Sequence, residues 1–196
     1  MNAAEKIVEA YFRYKRQIYT RSSLRGEGQA ELDVVGIAFN EGEPTYYHIE
    51  SSVSISSGFS KITNALYSPD EEKKRTKKAG QRRTAGFFIE KKFFTNEVRA
   101  ILENNGCSYD KLRRVVVAWE FDEEAKKVLG GKGIECLTMK QIFQELADSL
   151  AEETSDFDSD ILRTIQLFVR SEPQMPTIYS VQTIRNRKKK EKRGIR

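Results

Sequence analysis

Apolar positions recur at two different periods along the chain, and the change of period divides it into elements. In AAEKIVEAYFRYKRQIYT, Ile7, Val8, Tyr11, Phe12 and Ile18 fall near helical spacing and predict an opening amphipathic helix. SLRGEGQ follows as a glycine-punctuated loop. AELDVVGIAF and TYYHIESSVSIS have strand-like composition and flank the turn signal NEGEP, which predicts a hairpin. Leu32, Val34, Tyr47, Ile49 and Val53 then share the face expected to pack against helices, and Asp33 and Glu50 lie on the face away from that packing.

GFSKITNALYS reads as the beginning of a helix, residues 71–83 as a loop or exposed helix, and TAGFFIEKKFF as a short aromatic strand. TNEVRAILENNG is a helix with a Thr or Asn cap and a glycine stop. RRVVVAWEF is a charge-flanked apolar run of the kind found in strands buried on both faces. DEEAKKVLGGKG predicts a helix, IECLTM a strand, and KQIFQELADSL a helix with Ile142, Phe143 and Leu146 inside. Such alternation implies parallel strands joined by right-handed crossovers. The acidic linker EETSDFDSD precedes a helix in ILRTIQLFVR, and TIYSVQTIRNRKKK reads as helical before it frays into a basic tail. The expected organisation is an α/β domain over 1–150 with an extension over 151–196.

Composition changes this picture little. Of 196 residues, 38% are hydrophobic and 32% charged, the balance of a soluble globular protein. No apolar run approaches the roughly 20 residues of a membrane span, and the opening residues lack the apolar core of a secretory signal. Cys107 and Cys136 are far apart and fit reduced thiols in a cytoplasmic protein. One histidine and two scattered cysteines argue against a zinc site of those ligands. Charge changes more. The net +5 is concentrated in Lys73, Lys74, Arg75, Lys77, Lys78, Arg82 and Arg83, and in 185–196 with Arg187, Lys188, Lys189 and Lys190. Uneven positive charge suits a polyanion such as nucleic acid, which these residues would hold by its backbone without base specificity. The alternative is a solvated loop and tail.

The hairpin supplies candidate chemistry. A tight turn at Glu41-Gly42 sets Asn40 opposite Glu43 and, counting back, Asp33 opposite Glu50, with Cβ atoms about 4.5–5.5 Å apart. Opposed carboxylates destabilise a sheet unless a cation accompanies them, and a pair with room for water suits Mg²⁺ or Mn²⁺. The alternative is two surface acids on an exposed face. Pro44 fits poorly inside a paired strand, so a longer loop or a bulge is also compatible with the sequence.

The pattern ExxVxxYF from Glu5, then GQAELDVVGIA, then YYHIESSVS resembles the PD-(D/E)XK nuclease superfamily, the restriction-endonuclease-like fold, over about residues 5–150. The resemblance implies a mixed sheet flanked by helices and a Mg²⁺-dependent nuclease acting on DNA. It places Glu5 (or Glu9, one turn on) at the helix acid, Asp33 at the strand aspartate and Glu50 at the motif glutamate. Ser51 would lend its backbone carbonyl to the metal. Ser52 stands at the lysine position, which is the departure from the motif.

A serine hydroxyl can hold a water but supplies no charge. Lys61 is the candidate for a substituted cation, with an ordinary solvated lysine as the alternative. Gln29 and Glu31 could point into the same cleft, and His48 could support Glu50. Trp119, Phe87, Phe88, Phe93 and Phe94 read as core, with base stacking as the lesser alternative. A contrasting reading is a catalytically inactive nucleic-acid-binding or scaffold subunit, with the basic tail docking a protein partner.

Overall fold

The computed structural model describes residues 2–26, 30–53, 61–65, 67 and 81–171. A five-stranded mixed sheet organises the first of two compact units, Met1–Leu146; the second is Ala147–Arg196. Helix α1 (Ala3–Tyr14) is started by a capping box in which the Asn2 side chain accepts from the Glu5 amide and the Glu5 carboxylate accepts from the Asn2 amide. It buries Val8, Tyr11 and Phe12. Strands β1 (Tyr19–Arg25), β2 (Glu31–Asn40) and β3 (Glu43–Ser52) form an antiparallel meander. Strand β1 falls where the sequence predicted a helix end and a loop. Its YTRSSLR carries one buried residue, Leu24, so it has no apolar alternation to announce it.

The β2–β3 turn is the predicted tight one. Glu41 and Gly42 both have positive φ, 52° and 87°, the backbone of a two-residue hairpin whose twist matches its strands. Asn40 lies opposite Glu43 and Val34 opposite Ile49. Neither a longer loop nor a bulge is needed for Pro44. It pairs with Phe39 one step beyond the closing pair, so its nitrogen points to the outer side of β3. There β5 (Leu112–Ala118) begins only opposite Tyr46, so no ladder bond is lost.

Strand β4 (Lys61–Ile62) stands where GFSKITNALYS was expected to begin a helix; it pairs with β6 (Glu120–Phe121) in a separate two-stranded ladder. TAGFFIEKKFF is helical, not a strand. A short turn, α2 (Ala85–Phe87), is capped by Thr84 and runs directly into a π-turn, Phe88–Phe93. Helix α3 (Asn96–Asn104) has Thr95 as its cap, and Gly106 follows at φ 77°. Strand β5, helix α4 (Glu123–Gly131), strand β7 (Ile134–Thr138) and helix α5 (Met139–Glu152) complete the predicted alternation. β3, β5 and β7 run parallel. Ile142 and Leu146 are fully buried in α5, whereas Phe143 is half-buried. Tyr11 ties α1 to α5 by donating to Glu145 at 2.6 Å. Burial and that carboxylate push its phenol up to about 12.

Both faces of the sheet are covered. Val34 and Ile49 are buried on one side. On the other, Val35 and Leu112 pack with Val98, Ile101 and Leu102 of α3, while Val116 and Ala118 pack with Phe87, Phe88 and Phe93. Glu50 therefore faces a packed layer rather than solvent and Asp33 is half-buried, which corrects the expectation from alternation alone. In the second unit, α6 (Asp160–Ser171) follows the acidic linker, and Gln166 donates to the Glu153 carbonyl at 2.8 Å. Among the described residues no helix is long and apolar enough to cross a membrane.

Candidate active site

The backbone ladder between β2 and β3 stops at Val34–Ile49, and the two acids replace it. The Asp33 amide donates to Glu50 Oε1 at 3.4 Å, and the Ser51 amide donates to Asp33 Oδ2 at 2.8 Å. Each carboxylate thus takes an N–H that a neighbouring strand would otherwise satisfy. On the other flank of Asp33 the β1 ladder passes from Ser22–Val34 to Leu24–Leu32 and skips Ser23, whose φ is 55°. A serine held in the left-handed region stores local strain. Asp33 sits at a break in pairing on both sides, where the sheet has room for side-chain chemistry.

Glu50 is 1% exposed, and each of its oxygens has a partner. His48 Nε2 lies 2.8 Å from its Oε1, and Lys92 Nζ lies 2.6 Å from its Oε2. His48, expected to support Glu50, does so from full burial, with Phe93 edge-on to its ring at 4.9 Å. Lys92 also donates to the Glu31 carbonyl at 3.1 Å. An ammonium has three donors, so one remains uncommitted among the described residues. Burial draws the Lys92 ammonium down, but the charges of Glu50 and Asp33 outweigh it and hold the group above its ordinary range. Asp33 is pushed up to about 7, first by burial and then by Glu50; Lys92 and the Ser51 amide pull the other way.

The cation beside the pair is therefore Lys92, not Lys61. Lys61 forms an exposed ion pair with Asp122, at the start of α4 on the small β4–β6 ladder. Sequence reasoning missed Lys92 because it placed TAGFFIEKKFF in a strand. The available signal was a lysine among aromatics that become buried at helical spacing.

The other expected residues divide. Glu5 serves the α1 cap, and its charge still reaches Asp33 and raises it. Glu9 accepts from Thr20 at 2.8 Å. Ser52 stands one pleat beyond Glu50, opposite Ala118. Glu31 turns its carboxylate to Arg25 at 3.3 Å, gives its carbonyl to Lys92, and still acts on that ammonium through its charge. Phe87, Phe88 and Phe93 are core, as expected; Phe94 is 41% exposed and Trp119 half-buried, which they were not expected to be. Arg82 and Arg83 lie in a 3₁₀ turn, Gln81–Arg83, where Arg82 is exposed. Gln29, Lys73, Lys74, Arg75, Lys77, Lys78, Arg187, Lys188, Lys189 and Lys190 lie outside the described residues.

Among the described residues no group of three or more His, Cys, Asp or Glu side chains converges to hold a metal. Asp33 and Glu50 still fit a hard divalent ion in chemistry and charge. They are oxygen donors, Asp33 Oδ1 is uncommitted among the described residues, and one ammonium neutralises only half of the pair. Comparison of the chain with protein-family models, curated proteins and solved structures finds no match.

Proposed function

We propose that Asp33, Glu50 and Lys92 are the centre of a Mg²⁺-dependent nuclease that hydrolyses phosphodiester bonds, with DNA as the substrate. The observation that carries this reading is the Lys92–Glu50 contact at 2.6 Å. It puts an ammonium beside the opposed acids although Ser52 leaves the strand motif without one, which supports reading the three as a two-acid, one-lysine set. Asp33, Glu50 and the Ser51 carbonyl would hold the ion, with Glu5 within electrostatic reach. A bound divalent ion supplies charge for a scissile phosphate and a more acidic water. Lys92, anchored on Glu31 and Glu50, presents its remaining N–H to a phosphate oxygen or to the attacking water. His48 fixes the Glu50 carboxylate, and the Ser51 amide fixes Asp33. The basic segments would hold the backbone on either side.

The test is nicking of supercoiled plasmid by pure protein in Mg²⁺ or Mn²⁺. Parent protein should nick, and Asp33→Ala and Lys92→Met should not. Equal nicking by parent and Asp33→Ala would assign the activity to a contaminant and reject the proposal. A second reading, a catalytically inactive nucleic-acid-binding subunit, is favoured by Ser52 and by the absence of a third acid among the described residues. It predicts binding without nicking, and a gain of nicking in Ser52→Lys.

A further inference from the structure

Among the described residues Arg114 is a cation with no acid paired to it. Its guanidinium lies 4.6 Å from the ring centroids of both Phe94 and Tyr109, and its only hydrogen bond among the described residues is a long one, 3.5 Å, to the Leu112 carbonyl. Its Nε is buried without a partner there. Arg99, which also lies over Tyr109 at 5.1 Å, provides the contrast: Glu103 neutralises it at 2.8 Å. A guanidinium held against two rings, with N–H groups to spare among the described residues, is prepared for an external anion.

Its location gives the anion an identity. Arg114 is the register partner of His48 on the neighbouring strand, so both side chains stand on the face that carries Glu50. Tyr109 donates to the Phe93 carbonyl at 3.2 Å, and Phe93 in turn contacts the His48 ring. Phe94 follows next in the chain and keeps 41% of its surface exposed. A stacked cation and an exposed aromatic ring therefore adjoin the carboxylate pair through continuous contacts.

From this we infer that Phe94, Arg114 and Tyr109 form a subsite for one unpaired nucleotide beside the scissile bond. Arg114 takes its phosphate and Phe94 stacks its base. This rests on the nuclease reading for the position of the bond, but not for the binding itself. Bases inside an intact duplex are already stacked on each other, so the subsite selects single-stranded or frayed substrate.

The experiment uses the full chain in EDTA, where cleavage cannot interfere. Fluorescence anisotropy would follow labelled single-stranded DNA, its RNA counterpart and a duplex of the same sequence. Phe94→Ala should weaken single-strand binding about tenfold, within the range for losing one stacked base, and leave duplex binding unchanged. Arg114→Gln should make the salt dependence on single strands shallower by about 0.7, the value of one phosphate. Phe94→Tyr, which keeps the ring, should bind as the parent does and guards against a folding defect. The DNA and RNA arms show which strand the subsite accepts. Equal single-strand affinity in Phe94→Ala and parent, equal losses on single strand and duplex, or no oligonucleotide binding at all would each overturn the subsite. Phe94-sensitive binding without Mg²⁺-dependent cleavage would keep the subsite and remove the hydrolysis; cleavage indifferent to Phe94 would do the reverse.

Discussion

Two lysine–carboxylate contacts in this molecule differ in what surrounds them. Lys61 pairs with Asp122 at the protein surface, with Glu120 and Glu123 also within electrostatic reach, and water screens these charges. Lys92 meets Glu50 in the sheet layer, where the Glu50 side chain is 2% exposed and Asp33 is a second acid. The surface pair is neutral by itself. The interior set has two acids to one lysine, and burial first, then the charge of Glu50, pushes Asp33 up to about 7. Ion pairing as such therefore says little about function; an imbalance of charge maintained against burial says more.

The sharpest test of that contrast is to remove each cation. Lys92→Met should leave Glu50 buried without its countercharge and cost about 3–5 kcal/mol at pH 8, read by urea denaturation. The loss should be smaller at pH 5, where Asp33 holds its proton and adds no second negative charge beside Glu50. Nicking should fall at least about 10²-fold. A loss at pH 8 no greater than that of Lys61→Ala would remove the distinction between the two sites.

The next effect is on pH dependence. Burial raises the Asp33 carboxyl from 3.8 to about 7, so the folded protein binds a proton that the unfolded chain releases. Its stabilising contribution is complete below about pH 4 and is lost as pH rises through 7, with a slope of at most about 1.4 kcal/mol per pH unit. Thermal melting in EDTA should therefore fall between those limits in the parent and stay flatter in Asp33→Asn. On the proposed reading Mg²⁺ would compete with that proton, so it should raise the parent's melting temperature more at pH 8 than at pH 5. No Mg²⁺ effect at pH 8 would count against the metal.

Smaller again is the contribution of the basic segments. Lys73, Lys74 and Arg75 changed together to Ala should flatten the salt dependence of duplex binding by up to about 2.7, or 0.9 for each phosphate no longer neutralised. An unchanged slope would make the segment merely solvated. The smallest effect belongs to Lys61→Ala, whose exposed ion pair is screened by water, so stability should be nearly unchanged and nicking should stay at the parental rate. A large loss of nicking there would restore Lys61 to the site.

The position of the acids was readable in advance because a two-residue turn propagates register residue by residue. Once Glu41 and Gly42 take positive φ, Asp33 and Glu50 have no other place to be. The alternating strands and helices after Leu112 were readable for the same reason, since period is local information. What escaped was non-local. Lys92 reaches Glu50 through tertiary packing, from a segment whose aromatic content imitates a strand. The burial of the Glu50 face was missed because the strand pattern shows which side chains share a face, but not that α3 and the π-turn will cover it. Arg114 looked like a flanking charge, and only the register with His48 shows where it stands.

The π-turn has a consequence for how the lysine's place is encoded. Phe88 and Phe93 are both buried with ring centroids 6.3 Å apart, although in an α-helix residues five apart point about 140° away from each other. The wider i→i+5 winding brings them onto one side and leaves Lys92 at the flank, beside Glu50. Wound as an α-helix, the same residues would set Lys92 over Phe88 and swing Phe93 out of the core. The turn behaves as a vernier of one residue: the winding, rather than the amino-acid identity alone, selects which side chain is delivered to the carboxylates.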